Sequence, residues 1–167
     1  KAPCMKTIFA LCLMAIMGVV LAASKEALAF LPNFELVTLL LILFTLCFGR
    51  YVIGALGVFL LLEGLLYGFG LWWAMYLYVW PLLAGLAWLF RWMDRAWQWA
   101  LLAGGYGLCF GSLCALAYLP LGGASMALAW AIAGLPFDFI HAGANFLLAL
   151  VLYRPLRTAL DRLPSIT

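Results

Sequence analysis

Charged residues are scarce in this sequence, since Lys, Arg, Asp and Glu together make up 9% of its 167 residues. An ordinary soluble domain is about 25% charged and about 45–50% apolar, whereas 69% of this chain is hydrophobic. A soluble fold of this length could not bury so much apolar side chain, and lipid could. The composition therefore predicts an integral membrane protein and excludes a water-soluble domain.

Motifs that carry catalysis or bind metals are also missing. The sequence has neither a phosphate-binding glycine loop nor the H-E-x-x-H zinc motif. Its five cysteines are odd in number and form no C-x-x-C pair, so we assign no metal, no cofactor and no disulfide. Ser125 with the later His141 could suggest an intramembrane serine protease, but the serine falls in a predicted loop. We therefore expect no enzymatic activity.

Six long apolar runs follow one another along the chain, and a spanning helix needs about 20 such residues. We predict an all-α, polytopic membrane protein that forms a single transmembrane domain, a six-transmembrane-helix bundle, over residues 1–167. The expected helices cover about 7–23, 35–49, 51–69, 71–90, 97–119 and 137–153, with an outer loop over 121–135. The first run, from Met5, also resembles a secretory signal. We favour a spanning helix, because its removal would place the two termini on opposite sides.

Basic residues mark one side of this predicted bundle. Eight of the nine fall at helix ends that six spans bring together, namely Lys1, Lys6, Arg50, Arg91, Arg95, Arg154, Arg157 and Arg162. Only Lys25 falls at the opposite ends. Because Lys and Arg are in excess on the cytoplasmic side of membrane proteins, we predict a multi-pass protein of the cell membrane with both termini cytoplasmic.

The remaining strongly polar residues collect in the outer half of the predicted bundle. Asp138, His141 and Asn145 share one face of the sixth helix, and Glu63 lies near the outer end of the third. An ionisable group at the centre of a spanning helix costs about 2.5–3.5 kcal/mol on insertion scales, so those retained usually face a cavity or a partner. Structural alternatives remain: Asp138 as a helix cap paired with His141, Asn145 bonded to a neighbouring helix, and Glu35 as a cap of the second helix.

Aromatic and small residues add two further expectations. Trp73, Tyr76 and Trp80 share a face of the fourth helix, where an inward aromatic surface would stack on a flat heterocyclic ligand. Gly-x-x-x-Gly occurs twice, at Gly64/Gly68 and Gly107/Gly111. Glycines at this spacing let helices approach closely, and we favour packing within the bundle over homodimerisation.

Three segments carry a resemblance to a known family: FLPNFELVTLLLILFTLCFGR (30–50), LLEGLLYGFGLWW (61–73) and GLPFDFIHAGANFLLALVLYRPLRTAL (134–160). The last has a Pro-x-Asp-x-x-His-x-x-x-Asn entrance and an Arg-Pro-Leu exit. With these features the chain resembles the S-component, the substrate-binding subunit, of energy-coupling factor (ECF) vitamin transporters. The resemblance implies a six-helix bundle that binds a vitamin or related micronutrient near its outer face, in the lipid bilayer. The implied partners are a transmembrane coupling subunit and two cytoplasmic ATPase subunits, without nucleic acid.

The resemblance also implies roles for individual residues. The substrate-binding candidates are His141, Asn145, Asp138, Trp73 and Tyr76, to which the charge pattern adds Glu63 and Lys25. The aromatic face favours a planar ring such as a flavin, a pyridine, a pyrimidine or a corrinoid. A structural or assembly membrane protein without a small ligand is the main alternative, and an intramembrane enzyme is a second, less favoured one.

The first helix is the expected docking surface for the coupling subunit. The family commonly shows small residues four apart there, and the matching register in this chain reads Ala10, Met14, Gly18, Ala22. Only Gly18 and Ala22 form a small pair, with Ala15 beside them. We therefore expect Gly18, Ala22 and Ala15 to form a reduced docking stripe.

Overall fold

Six α-helices build the part of the protein that the computed structural model describes, which is the backbone of residues 2–162 and the side chains of residues 7–162. They are α1 (Ala2–Ala27), α2 (Val37–Phe48), α3 (Tyr51–Tyr67), α4 (Leu71–Leu89), α5 (Ala96–Ala115) and α6 (Leu119–Asp161), with a 3₁₀ turn at Leu116–Tyr118. Every regular element in this range is helical, so the all-α prediction is confirmed. Lys1 and the side chain of Lys6, which entered the charge argument, lie outside the described residues.

Three helical stretches within the described range are long and apolar enough to cross a membrane: Thr7–Ala27, Leu71–Leu89 and Ala96–Asp161. Large apolar side chains on two of them are exposed, among them Ile16 (61%) and Val151 (67%). A soluble monomer rarely exposes an apolar patch beyond about 300–600 Å², so this is a membrane protein. By contrast, α2 and α3 have only 12 and 17 residues. The predicted helices over 35–49 and 51–69 were too long, and the helix lengths alone do not establish six spans.

The short helix α2 lies at the centre of the bundle. Eight of its 12 residues are buried, namely Val37, Thr38, Leu39, Leu41, Ile42, Leu43, Phe44 and Thr45. A helix that is apolar all round is stable only when it is surrounded by other elements. Here α1, α3, α4 and α6 surround it. The polar start of α2 is thereby carried into the interior of the molecule.

The last two helices form an antiparallel hairpin. The chain reverses at Gly122 and Gly123, whose backbone angles are not helical; Gly123 has a φ of +69°, which glycine tolerates and other residues rarely adopt. On either side of this reversal, the rings of Tyr118 and Trp130 meet with their centroids 4.4 Å apart. The two ends of the hairpin, near Ala96 and Asp161, therefore lie at the same end of the bundle.

Close packing of this hairpin depends on the glycines of α5. A Cβ atom added to Gly107 would lie 3.0 Å from backbone atoms of His141 and Ala142, and one added to Gly111 would lie 2.5 Å from a carboxylate oxygen of Asp138. The expectation that Gly107 and Gly111 pack within the bundle is confirmed. Their packing brings the polar face of α6 against α5.

The expected outer loop over 121–135 has to be corrected. After the break at Gly122 and Gly123 the chain is helical up to Asp161, and Pro136 lies inside this helix instead of at the start of one. The segment is rich in alanine and leucine, which are strong helix formers, and it packs against the end of α5. The portion from residue 124 to 161 is about 57 Å long at about 1.5 Å per residue, so it exceeds the about 30 Å of a bilayer core.

Two ends of the bundle can be distinguished by their charges. The arginine end carries Arg50, Arg91, Arg154 and Arg157, where the turn after α2, the turn after α4 and the last turns of α6 meet. The Lys25 end is the opposite one, where the ends of α1 and α3 come together through Lys25 and Glu63. The charges of the described residues are thus sorted as the sequence pattern predicted.

Candidate functional site

A cavity of about 340 Å³ lies at the Lys25 end, beneath the segment that connects α1 to α2. Its polar and aromatic lining includes Lys25, Glu26, Asn33, Glu35, Tyr67, Tyr76, Trp80, Phe110 and His141. These residues come from α1, the connecting segment, α3, α4, α5 and α6. A ligand pocket typically measures about 300–1,000 Å³, so this cavity has room for a small ligand.

The segment between α1 and α2 covers the cavity as a series of tight turns. The amide of Leu31 donates to the carbonyl of Leu28 at 2.8 Å, and that of Phe34 donates to Leu31 at 3.2 Å. Asn33 has a positive φ of 61°, a conformation that asparagine adopts more readily than most residues. These turns hold residues 28–35 across the opening, because most of them line the cavity.

Glu35 joins the cover of the cavity to two helices. One carboxylate oxygen accepts a hydrogen bond from the backbone N–H of Thr38 at 2.8 Å, which caps the start of α2 as expected from the sequence. The other oxygen lies 3.2 Å from Nε2 of His141 on α6. Burial raises the pKa of Glu35, but the hydrogen bond and charge of His141 and the hydrogen bonds from Thr38 outweigh it, so that the pKa lies below its ordinary value of 4.5. Glu35 is therefore an ionised acceptor in the wall of the cavity.

Asn145 lies one layer below this pair. Its side-chain amide donates to the hydroxyl of Thr38 at 3.2 Å, and both residues are buried. Asn145, Thr38, Glu35 and His141 thus form a continuous chain of hydrogen bonds between α2 and α6. Asn145 does not line the cavity, and its contact is the bond to a neighbouring helix that the sequence left open as the structural alternative.

Asp138 contributes to the packing of α5 against α6. One oxygen of its buried carboxylate accepts a hydrogen bond from the backbone N–H of Gly111 at 2.9 Å. It does not line the cavity, and His141 pairs with Glu35 rather than with Asp138. The structure therefore places Asp138 in the wall between two helices, close behind the cavity.

Glu63 and Lys25 form an ion pair between α3 and α1. The side chain of Glu63 is completely buried, and that of Lys25 is 26% exposed. Lys25 lies 4.8 Å from the ring centroid of Tyr67 and lines the cavity, whereas Glu63 lies behind it. Within the described residues, one oxygen of Glu63 has no hydrogen-bond partner. Lys25 therefore brings a positive charge to the cavity wall while neutralising a carboxylate in the interior.

Three aromatic rings form the opposite wall. Trp80 packs edge-on against Tyr76 with centroids 5.5 Å apart, and lies 5.6 Å from Phe110. Phe110 in turn meets the imidazole of His141 at 4.9 Å. Trp80 is only 2% exposed, and its indole N–H has no partner among the described residues. A buried N–H usually has an acceptor, so this unpaired donor is an exception in the interior of the bundle.

Trp73, another predicted substrate contact, is directed elsewhere. Its indole N–H donates to the carbonyl of Leu60 at 2.8 Å, and its ring packs edge-on against Phe69 with centroids 5.1 Å apart. Trp73 does not line the cavity. Its role in the structure is to join α4 to α3.

The small residues expected to dock a partner are largely used inside the bundle. A Cβ atom on Gly18 would lie 2.7 Å from the carbonyl oxygen of Ala55, so α1 and α3 are in backbone contact there. Ala22 is buried on the same side of the helix. Of the three expected docking residues, only Ala15 is exposed. The docking stripe formed by Gly18 and Ala22 therefore has to be corrected, because α3 covers it.

Sequence reasoning missed Phe110 and the pairing of Glu35 with His141. Phe110 lies between Gly107 and Gly111, on a helix whose glycine spacing already pointed to close packing, and this was a usable signal. The pairing of Glu35 with His141 joins residues 106 positions apart, and no local pattern indicates such a contact.

Comparison of this chain with models of known protein families, with curated proteins and with solved structures gives no match. What the geometry defines is an all-helical membrane protein. It has a small, partly polar cavity covered by a loop at one end and arginines at the other.

Proposed function

We propose that this chain is the substrate-binding subunit of an ECF-type transporter and captures a water-soluble vitamin or related micronutrient. One observation carries the proposal: a covered cavity of about 340 Å³ combines a lysine, a carboxylate–imidazole pair and three aromatic rings in a bundle that is otherwise apolar. Polar groups in membrane helices are costly and are usually retained for function. The cavity supports a binding role, and the family is proposed on the sequence resemblance.

We propose a six-span topology in the cell membrane with both termini cytoplasmic. Arginines from three separate connections meet at the arginine end, which matches the excess of positive residues on the cytoplasmic side. The cavity then opens outward. In this arrangement α2 is short because residues 28–35 and the cavity take up the outer part of its path.

The ligand that fits best is a small planar heterocycle with both acceptor and donor groups. The rings of Tyr76 and Trp80 offer stacking surfaces. The ammonium group of Lys25 donates to an acceptor on the ligand, and the ionised Glu35 accepts from a donor. The volume suits one ring or two fused rings with a short substituent. A corrinoid, which the aromatic face alone allowed, is far too large for about 340 Å³.

Transport proceeds in this proposal by capture, closure of residues 28–35 over the ligand, and presentation to a coupling subunit that two ATPase subunits drive. The chain contributes binding and no bond-making chemistry. Because Gly18 and Ala22 are covered by α3, the partner meets the other face of α1, where Leu11, Ala15 and Val19 are exposed. These three residues follow one another at a spacing of four and so share a face.

Binding of a vitamin panel to the purified protein tests the proposal. Titrations monitored by calorimetry and by tryptophan fluorescence should find a pyridine or pyrimidine compound that binds the wild type. The variant His141→Ala, which breaks the pair with Glu35, should bind it about 10–100-fold more weakly, as expected for a lost hydrogen bond to a charged group.

Trp73→Phe is the control, since it changes an aromatic residue of α4 that does not line the cavity. It should bind the compound with near wild-type affinity. Failure of the whole panel to bind the wild type in lipid nanodiscs would reject the proposed function. Equal affinity in His141→Ala and the wild type would reject the site.

A further inference from the structure

A second cavity, of about 410 Å³, lies at the arginine end, on the far side of the bundle from the candidate site. It is formed by the end of α2, the turn between α4 and α5, and the last turns of α6. Its polar lining consists mainly of Arg91, Asp94, Arg154, Arg157 and Thr158. Neither the hydrogen-bond chain around His141 nor the proposed capture of a micronutrient makes use of it.

Positive charge exceeds negative charge in this cavity. Three guanidinium groups and one carboxylate line it. Arg157 is paired with Asp161 one turn further along α6, at 3.0 Å between Nε and Oδ2. Within residues 7–162, no carboxylate lies within ion-pair distance of Arg91 or Arg154, and Arg91 instead covers the ring of Trp88 at 4.6 Å. Two guanidinium groups of the cavity therefore lack an anion.

The residue types in the lining point to phosphate. A guanidinium group binds a phosphate through two parallel hydrogen bonds and is less strongly hydrated than an ammonium group, so arginine suits this anion better than lysine does. All three cations of the cavity are arginines. The hydroxyl of Thr158 beside them adds a donor for a further phosphate oxygen.

The apolar part of the lining indicates that the phosphate belongs to a lipid headgroup. Leu46, Trp92 and Met93 line the same cavity, and Trp92 is 70% exposed. Tryptophan prefers the headgroup level of a membrane, and Trp88 and Trp97 are exposed at the same end. Basic pockets between helices at this level bind anionic headgroups. The cavity thus offers cations for a phosphodiester and apolar surface for the glycerol and the first methylenes.

We propose that the arginine-end cavity binds the headgroup of an anionic phospholipid, with Arg91 and Arg154 as the principal phosphate contacts. The bound lipid joins the turn after α4 to the last turns of α6, two elements that the chain connects only through the long hairpin. This site stabilises the fold from the leaflet at the arginine end. It requires a membrane protein but does not depend on the ligand of the other cavity.

Thermal unfolding of the delipidated, detergent-purified protein tests this site. Added phosphatidylglycerol should raise the midpoint by about 5 °C or more, as a ligand well above its dissociation constant does, whereas phosphatidylcholine with the same acyl chains should not. The double variant Arg91→Gln/Arg154→Gln should lose this shift. The control Arg50→Gln/Arg162→Gln removes the same charge at the same end outside the cavity, and should keep it.

Two results would overturn the assignment. The first is a phosphatidylglycerol shift of equal size in the Arg91→Gln/Arg154→Gln variant and the wild type. The second is stabilisation by inorganic phosphate, at equal phosphate concentration, as large as that by phosphatidylglycerol, which would make the site one for a free anion. Native mass spectrometry should count about one retained phosphatidylglycerol more on the wild type than on the cavity variant, and this readout remains valid if the variant is less stable.

Discussion

The carboxylate of Glu35 contacts two helices. One oxygen caps α2, and the other lies within hydrogen-bond distance of His141 on α6. The residue therefore couples the start of the central helix to the last helix. A substitution of Glu35 would therefore disturb both contacts at once.

Replacing Glu35 by glutamine should destabilise the protein in a pH-dependent way. Hydrogen bonds to a charged group are worth about 1.5–3 kcal/mol, so the thermal midpoint of Glu35→Gln at neutral pH should fall by about 5 °C. Because the pKa of Glu35 is held below 4.5, this contribution is present above that pH and is lost as the pH falls through the lowered value. The difference between wild type and variant should therefore shrink as the pH falls below 4.5.

Glu26→Gln is the control for this measurement, because Glu26 lies at the same end of the bundle but bonds to an exposed tyrosine, Tyr67. Its effect should be smaller at every pH. A difference between wild type and Glu35→Gln that does not shrink as the pH falls below 4.5 would contradict the assignment of an ionised Glu35.

The buried carboxylate of Glu63 should depend on Lys25 as the cation that neutralises it. Lys25→Met leaves a completely buried carboxylate without its cation, and breaking a buried pair on one side costs about 3–5 kcal/mol. Since Lys25 is partly exposed, we expect the lower end, a loss of about 5–10 °C in thermal midpoint. The double variant Lys25→Met/Glu63→Leu should recover most of this loss.

A double-mutant cycle with Glu63→Leu supplies the measurement. If the double variant is as unstable as the sum of the two single variants, the residues do not interact and the pair is not a unit. The same four proteins can be titrated with the ligand found in the vitamin panel. The lysine variants should bind it more weakly, because Lys25 lines the cavity and Glu63 does not.

At the scale of whole elements, the α5–α6 hairpin determines where the polar face of α6 lies. The backbone contact between Gly107 and His141 leaves no room for a side chain on the α5 glycine. Any outward shift of α6 would move the imidazole away from Glu35. The close packing of the α5 glycines against α6 therefore also determines the position of His141 relative to Glu35.

Gly107→Ala should lower the thermal midpoint by about 2–10 °C, because the added methyl group meets backbone atoms that cannot rotate away, and overpacking costs about 1–3 kcal/mol. Gly105→Ala is the matched control, two residues away on the same helix with nothing within 4 Å of the added carbon. Alanine is the better helix former, so this control should be as stable as the wild type or slightly more stable. Equal stability of both variants would mean that α5 and α6 are not in contact as described.

Several elements follow from the sequence with little error, and the exceptions have a common cause. The predicted helices over 71–90 and 97–119 match α4 and α5 closely, because turns or charges bound their apolar runs. Residues 121–135 carry no such boundary apart from three glycines and the following Pro136. A proline fits either the first turn of a helix or a kink inside one, and the partner that decides between these, the end of α5, is supplied by the tertiary fold.

For the whole molecule, the sequence located the end of the bundle that holds the polar residues but not their partners. Lys25, Tyr76 and His141 line the cavity as anticipated, whereas Asn145 bonds to Thr38 and Trp73 to Leu60. Helical spacing tells which residues share a face. It does not tell which neighbouring helix that face meets, because rotation of a helix about its axis depends on contacts far away in the chain.

Labelling of single cysteines in intact cells should establish the orientation of the bundle. In a background in which the five native cysteines are replaced by alanine, Phe30→Cys places a thiol in the cover of the cavity, at a residue that is 75% exposed. Arg162→Cys places one just beyond α6, at the arginine end. Because arginines mark the cytoplasmic side, a membrane-impermeant maleimide should label Phe30→Cys in intact cells and Arg162→Cys only after permeabilisation. Labelling of Arg162→Cys in intact cells would show the opposite orientation. The cavity would then face the cytoplasm, where it could not capture a solute from outside.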